Sequence, residues 1–197
     1  MINLPTITER TFGIEIEFVN ASPRTVATAL NEVVDCHYEG YTHQVTRHWK
    51  VVTDSSLNSY DNAGEVVSPI LKGVEGAREL ERVCTALDTI EGIKVNRQCG
   101  LHVHLDANDM TVGQIQTVYN RYADYEAQID LVMPRSRRGD ARWAAKLDDK
   151  DEVNHNRVKS KRDLSNATYT RYKKLNLESL TKYGTIEFRQ HSGTLSF

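Results

Sequence analysis

The chain has little cysteine: only Cys36, Cys84 and Cys99 in 197 residues. An odd number with no C-x-x-C pair excludes a disulfide framework and gives structural zinc of the cysteine type no support. That usage points to a reducing compartment, and the cytoplasm is the expected location. No apolar run approaches membrane-spanning length, and "MINLPTITERTFG" lacks the basic-then-apolar pattern of a secretory leader, so no membrane association is expected. Excess charge is also missing. A net charge of -2 gives no global attraction to nucleic acid, which is not expected as a partner. What remains is an ordinary globular composition, 39% hydrophobic and 26% charged, of a length that fits one domain with a substantial core.

Charge is uneven along the chain. Residues Pro134 to Lys174 hold 13 Lys or Arg against 6 Asp or Glu, a net of +7, which leaves -9 on the remainder. Such a stretch reads either as a solvated, mobile insertion or as a polyanion-binding one.

"TFGIEIEFV" alternates as a strand does. "SPRTVATALNEVVD" follows as a helix, with Ser22 at the cap and Pro23 at the first helical position. "HWKVVTD" and "GEVVSPIL" read as two strands around the turn-rich "SSLNSYDNAG". "GVEGARELERVCTALDTI" has helical apolar spacing. "GLHVHLDA" is a strand, the next helix starts at Asn108 or Asp109 and runs to about Met133, and "GTIEFRQHS" is a closing strand. This order predicts an α+β protein with an antiparallel or mixed sheet covered by helices on one face.

Three of these strands share a property. Alternate side chains of a strand face opposite ways. Phe12, Ile14, Ile16 and Phe18 then oppose Glu15 and Glu17; Leu101, Val103 and Leu105 oppose His102, His104 and Asp106; Ile186 and Phe188 oppose Thr185, Glu187 and Arg189. The apolar halves suit packing on helices. The polar halves carry carboxylates, imidazoles and a guanidinium rather than the Thr, Lys, Ser and Gln of an idle solvent face. Glu15 and Glu17 lie ~7 Å apart along their strand, and carboxylates with one or two imidazoles suit Mg²⁺ or Mn²⁺. Neighbouring strand carboxylates can each serve a different ion of a pair that holds nucleotide phosphates. Glu65 is either a further ligand or an exposed carboxylate at a strand start.

"FGIEIEF", "WKVVTDSSL…GEVVSPIL", "CGLHVHLD" and "LNLESLTKYGTIEFRQHSGTL" occur in this order in a known family. From Phe12 to Leu195 the chain resembles the amidoligases, carboxylate–amine ligases similar to glutamine synthetase and glutamate–cysteine ligase. The resemblance implies a glutamine-synthetase-like catalytic domain: a curved, mainly antiparallel sheet with helices on one face, its concave face holding ATP and two or three Mg²⁺ or Mn²⁺ ions. By the same resemblance, Glu15, His102 and Glu187 would hold the ion at the transferred phosphate, and Glu17 and Glu65 the ion nearer the acceptor. His104 would approach the nucleotide phosphates, and Arg189 would sit beside the γ-phosphate. The reaction implied is ATP-dependent amide or isopeptide formation through an acyl phosphate, from small-molecule or peptide carboxylates and amines.

Phosphoryl transfer is mainly positioning and charge stabilisation. A closing segment would keep water from the acyl phosphate, and the basic stretch is the candidate. "MPRSRRGDARW" resembles a family segment, which implies that Arg135, Arg137 and Arg138 contact ATP phosphates or an acidic substrate. Asp54 is either a site residue holding the incoming amine or a turn aspartate satisfying its own backbone. Arg171 and Asn176 lead into the last strand and stay undecided. Many family members continue beyond "HSGTL", and no glutamine-synthetase-type amino-terminal domain precedes the motifs. A large ring assembly is therefore not expected, while a small homo-oligomer is left open. The alternative function is an inactive or regulatory protein of the same fold that binds a polyanion through its basic segment.

Overall fold

The computed structural model describes residues 9–54, 57 and 62–197. The turn expected in "SSLNSYDNAG" lies mostly outside the described residues, as do the first eight. The chain divides into two compact units, Met1–Leu101 with Gly193–Phe197, and His102–Ser192.

In the first unit, Thr11–Val19 forms β1 and Pro23–Leu30 forms α1. The Ser22 hydroxyl accepts from the Thr25 amide at 3.1 Å, and Pro23 occupies the position where a missing N–H costs nothing. Val26, Ala27 and Leu30 are buried along one stripe. The helix ends at Leu30 rather than near Asp35. The chain turns there and enters a strand absent from the sequence reading, β2 (Cys36–Gly40).

Trp49–Val52 forms β3 and Ala63–Val67 forms β4, and Leu71–Lys72 is a separate strand, β5. "GEVVSPIL" was expected as one strand. It divides because Pro69 has no N–H to donate. At the break, the Ser68 hydroxyl accepts from the Ile14 amide at 2.9 Å, while the Ser68 amide donates to the Ile14 carbonyl. Gly73–Thr89 forms α2, as its periodicity predicts.

The strand order in this unit is β2-β3-β4-β1, with β5 also on β1. β2 and β3 are parallel and the other pairs antiparallel. The register sorts the side chains. Glu17 opposes Glu65, Glu15 opposes Val67, Val67 opposes Lys50, and Lys50 opposes His37. These share one face. Ile16, Phe18, Val51, Val66 and Trp49 belong to the other and are buried. α1 packs on β2, β3 and β4, and the Trp49 indole N–H donates to Glu79 of α2 at 2.5 Å. Gly64 is required where it stands, because a Cβ would come within 2.7 Å of the Val52 carbonyl oxygen. Cys36 and Cys84 are buried free thiols, and Cys99 is buried as well. Burial, aided by the charge of Asp35, pushes the Cys36 thiol up to about 12.

Gly100–Asp106 forms β6, and the division between the units falls within it. In the second unit, α3 spans Val112–Asp124 and α4 spans Glu126–Val132. The helix does not start at Asn108 or Asp109. Asp106 Oδ1 accepts from the Asn108 amide at 3.0 Å and its side chain at 2.8 Å, which commits that segment to a turn. Thr111 and Gln114 then form a reciprocal capping box that starts α3. Tyr125, at φ -101° and ψ 5°, separates the two helices that were expected as one.

A 3-10 turn at Arg135–Arg137 leads to α5 (Lys150–Val153), α6 (Lys161–Ala167), β7 (Leu175–Asn176), α7 (Ser179–Lys182) and β8 (Thr185–Ser192). The strand order here is β6-β8-β7. Leu147, Val153, Leu164 and Ala167, all from the basic stretch, are buried in one core with Ile115, Tyr119, Leu175, Leu177 and Ile186. Gly184 opens β8 at φ +72°, where an added Cβ would meet Asn108 at 2.4 Å. The class is α+β with mixed strand pairing, and no helix among the described residues is long and apolar enough to cross a membrane.

Candidate active site

His102 is 3% exposed and His104 8%, less than the apolar residues that alternate with them. Both imidazoles turn toward Glu187 on β8. His102 Nδ1 lies 3.7 Å from Glu187 Oε1, and His104 Nε2 lies 3.8 Å from the same oxygen. Arg189, two residues along the strand, donates from Nη1 to that oxygen. The other carboxylate oxygen accepts from Asn176 Nδ2 at 2.5 Å, the residue that opposes Glu187 across β7 and β8. His104 Nδ1 is 2.9 Å from the Thr185 hydroxyl, and its ring meets Tyr183 edge-on with centroids 5.8 Å apart. Asn176 is itself fixed, accepting from the Glu178 amide at 2.8 Å. This buried carboxylate is hydrogen-bonded by two side chains with both imidazoles within 4 Å, so its orientation is set before any ligand arrives.

The first unit carries a different arrangement. Glu17, Asp54 and Glu65 each offer an oxygen within 4.8 Å of the others. Glu17 is oriented by the Gly100 amide, which donates to Oε2 at 2.6 Å. Glu65 is held well above the usual carboxylate range, first by burial and then by the charges of Glu15, Glu17 and Asp54. One cation of this unit faces the group. Lys50 is 3% exposed and donates to the Gln44 carbonyl; burial pulls its ammonium down, opposed by Glu39, Glu65 and Glu15. Oxygen donors at this spacing could share one hard divalent cation, and neutralising the crowded charge would favour it. The residues present fit such an ion.

The arginines of the basic stretch have different surroundings. Arg135 is exposed. Arg137 is buried, and its carbonyl accepts from Gln190 Nε2 at 3.2 Å. Arg138 turns back on α4, donating to the Met133 carbonyl at 2.5 Å and the Leu131 carbonyl at 3.4 Å. Arg171 lies over the Tyr172 ring, and Arg142 over Trp143.

Sequence reasoning missed Lys50 and left Asn176 undecided. Lys50 is one alternation step into "WKVV", and its face follows once Glu65 is placed in register. Asn176 has no signal of its own; only its pairing opposite Glu187 exposes it.

The sequence profile of a family described as "putative amidoligase enzyme" matches residues 8–196. The chain belongs to the amidoligase family. The match includes every carboxylate, imidazole and guanidinium described above. No curated protein and no solved structure matches the chain. Amidoligase membership supports an amide-bond ligase as the class of activity.

Proposed function

We propose that this amidoligase is an ATP-dependent carboxylate–amine ligase with a glutamine-synthetase-like catalytic fold, joining a small-molecule or peptide carboxylate to an amine through an acyl phosphate. The observation that carries ATP dependence is the convergence of Glu17, Asp54 and Glu65, a donor set for Mg²⁺ or Mn²⁺. A divalent ion bound there supplies charge neutralisation and orientation of phosphate oxygens.

The chain's own residues then take these parts. Glu17, fixed by the Gly100 amide, and Glu65 hold the ion, with Asp54 completing the set or receiving the incoming ammonium. Glu15 lies on the same face and contributes to the ligand charge. In the second unit, Glu187 is a further metal ligand with His102, and His104 faces the phosphates. Arg189 is held beside Glu187, where its guanidinium stabilises charge on the transferred phosphoryl group. The substrate carboxylate attacks the γ-phosphorus and ADP leaves. The amine nitrogen then attacks the acyl carbon, inorganic phosphate departs, and the nitrogen loses its proton. Of the basic stretch, the exposed Arg135 would meet ATP phosphates or an acidic substrate.

ADP release is the test, measured with ATP and Mg²⁺ or Mn²⁺ across a panel of carboxylates and amines, with Glu187→Gln as the control. The expected result is amine-dependent ADP release, reduced by on the order of 10²–10³-fold in the variant while circular dichroism is unchanged. Release that is independent of the amine identifies a kinase or phosphatase instead. Turnover unchanged in the variant refutes the assignment.

A further inference from the structure

A second cluster of metal-ligating side chains stands on β2, the strand that the sequence reading passed over. "DCHYE" alternates Asp35, His37 and Glu39 at period two, which brings them to one side of the strand. Parallel pairing with β3 sets His37 opposite Lys50, so His48, two residues before Lys50, joins the same side. The side chains meet there. Asp35 Oδ1 is 2.9 Å from His37 Nε2, and Glu39 Oε1 is 2.6 Å from His48 Nε2. The two imidazole rings pack edge-on with centroids 4.7 Å apart. Asp35, His37 and His48 each present a ligand atom within 4.8 Å of the others.

We propose that Asp35, His37 and His48, with Glu39 on the His48 ring, form a binding site for a late first-row divalent metal, with zinc as its representative. Two imidazoles with carboxylates are borderline donors that favour zinc, nickel or copper over the Mg²⁺ or Mn²⁺ suited to an all-oxygen set. Tetrahedral zinc with bonds of about 2.0–2.1 Å needs its ligand atoms roughly 3.4 Å apart. The side chains of Asp35 and His37 are 72% and 55% exposed, so they can close that difference by rotation and an ion can enter without opening the fold.

The Glu39 contact has a use of its own, because a carboxylate on one ring nitrogen of His48 fixes which nitrogen is left to a metal. The location gives the ion a role. β2 is the edge of its sheet and is joined by parallel pairing with a register shift between Tyr38 and Gly40. An ion held from both strands would clamp this edge and cover part of its unpaired backbone. Lys50, whose ammonium feels Glu39, links the clamp to the acidic face of the same sheet.

The test uses chelator-treated protein in excess Mg²⁺, titrated with zinc chloride against a chromophoric competitor. Wild type and a Glu17→Gln/Glu65→Gln variant should both bind a zinc equivalent that His37→Ala/His48→Ala binds on the order of 100-fold more weakly. Zinc should raise the melting temperature of wild type and leave that of the double-histidine variant unchanged. Should the double-histidine variant fail to fold, Asp35→Asn/Glu39→Gln keeps both imidazoles and should bind zinc about tenfold more weakly. Zinc stoichiometry and affinity equal to wild type in His37→Ala/His48→Ala and in Asp35→Asn/Glu39→Gln, or no zinc bound by wild type at micromolar concentration, overturns the proposal. The site is independent of the ligase reading, and neither result bears on ADP release.

Discussion

The polar faces of the two units treat their carboxylates in opposite ways. In the first, Glu15, Glu17, Asp54 and Glu65 crowd together until Glu65 resists ionisation. In the second, Glu187 is met by Arg189, Asn176, His102 and His104, and Glu126 and Asp130 close on the fully buried ammonium of Lys174 at 2.5 and 2.8 Å. A carboxylate surrounded by donors is structural before it is anything else, because its oxygens already have hydrogen-bond partners. A carboxylate surrounded by carboxylates spends folding energy to hold charge ready for a cation. The two kinds of ligand residue therefore carry different signatures, and the crowded set is the better indicator of function.

Lys174→Met breaks the contrast hardest. It leaves Glu126 and Asp130 without their buried ammonium, and urea unfolding should show a loss of about 3–5 kcal/mol. Next comes Glu187→Gln, which weakens the bonds of Arg189 and Asn176 and should cost about 2 kcal/mol in the same assay. Glu65→Gln should do the reverse in metal-free buffer. Removing a crowded carboxylate should raise stability by about 1 kcal/mol, seen as a higher melting temperature. A destabilised Glu65→Gln would show that the first unit is as internally compensated as the second.

A smaller effect is set by pH. Burial pushes the Asp130 carboxyl up, but hydrogen bonds from Lys174, the Gly139 amide and Gln190 outweigh it and hold the group below its ordinary value. The Lys173 hydrogen bond holds Asp148 below its own. Folded-state values below the unfolded ones stabilise this unit above about pH 4, and that contribution disappears as the pH falls through the depressed values. Hydrogen exchange followed from pH 6 to pH 3 should show protection lost from the Lys174–Asp130 region. Unchanged protection there would mean that these pairs are too well screened to matter.

Sequence alternation was legible wherever a strand had one apolar face. "FGIEIEF" and "TIEFRQ" show it, and their glutamates fall on the faces that the pattern assigns. It failed at β2, where Cys36 and Tyr38 are the only apolar residues and the preceding helical pattern ran on past Leu30. It failed again at Pro69, where a donor missing from the backbone outweighed a continuous apolar run. The burial of His102 and His104 exceeds that of their apolar neighbours, an inversion that composition does not reveal. Asn176 and Lys50 owe their positions to cross-strand register, a property of two segments that neither contains alone.

Manganese binding tests the account most directly, since it needs no knowledge of the substrates. Chelator-treated protein titrated with Mn²⁺ should bind at the Glu17–Asp54–Glu65 group, and Glu17→Gln/Glu65→Gln should weaken that binding on the order of 10–100-fold with the fold intact. Equal Mn²⁺ affinity and stoichiometry in wild type and that variant would contradict it.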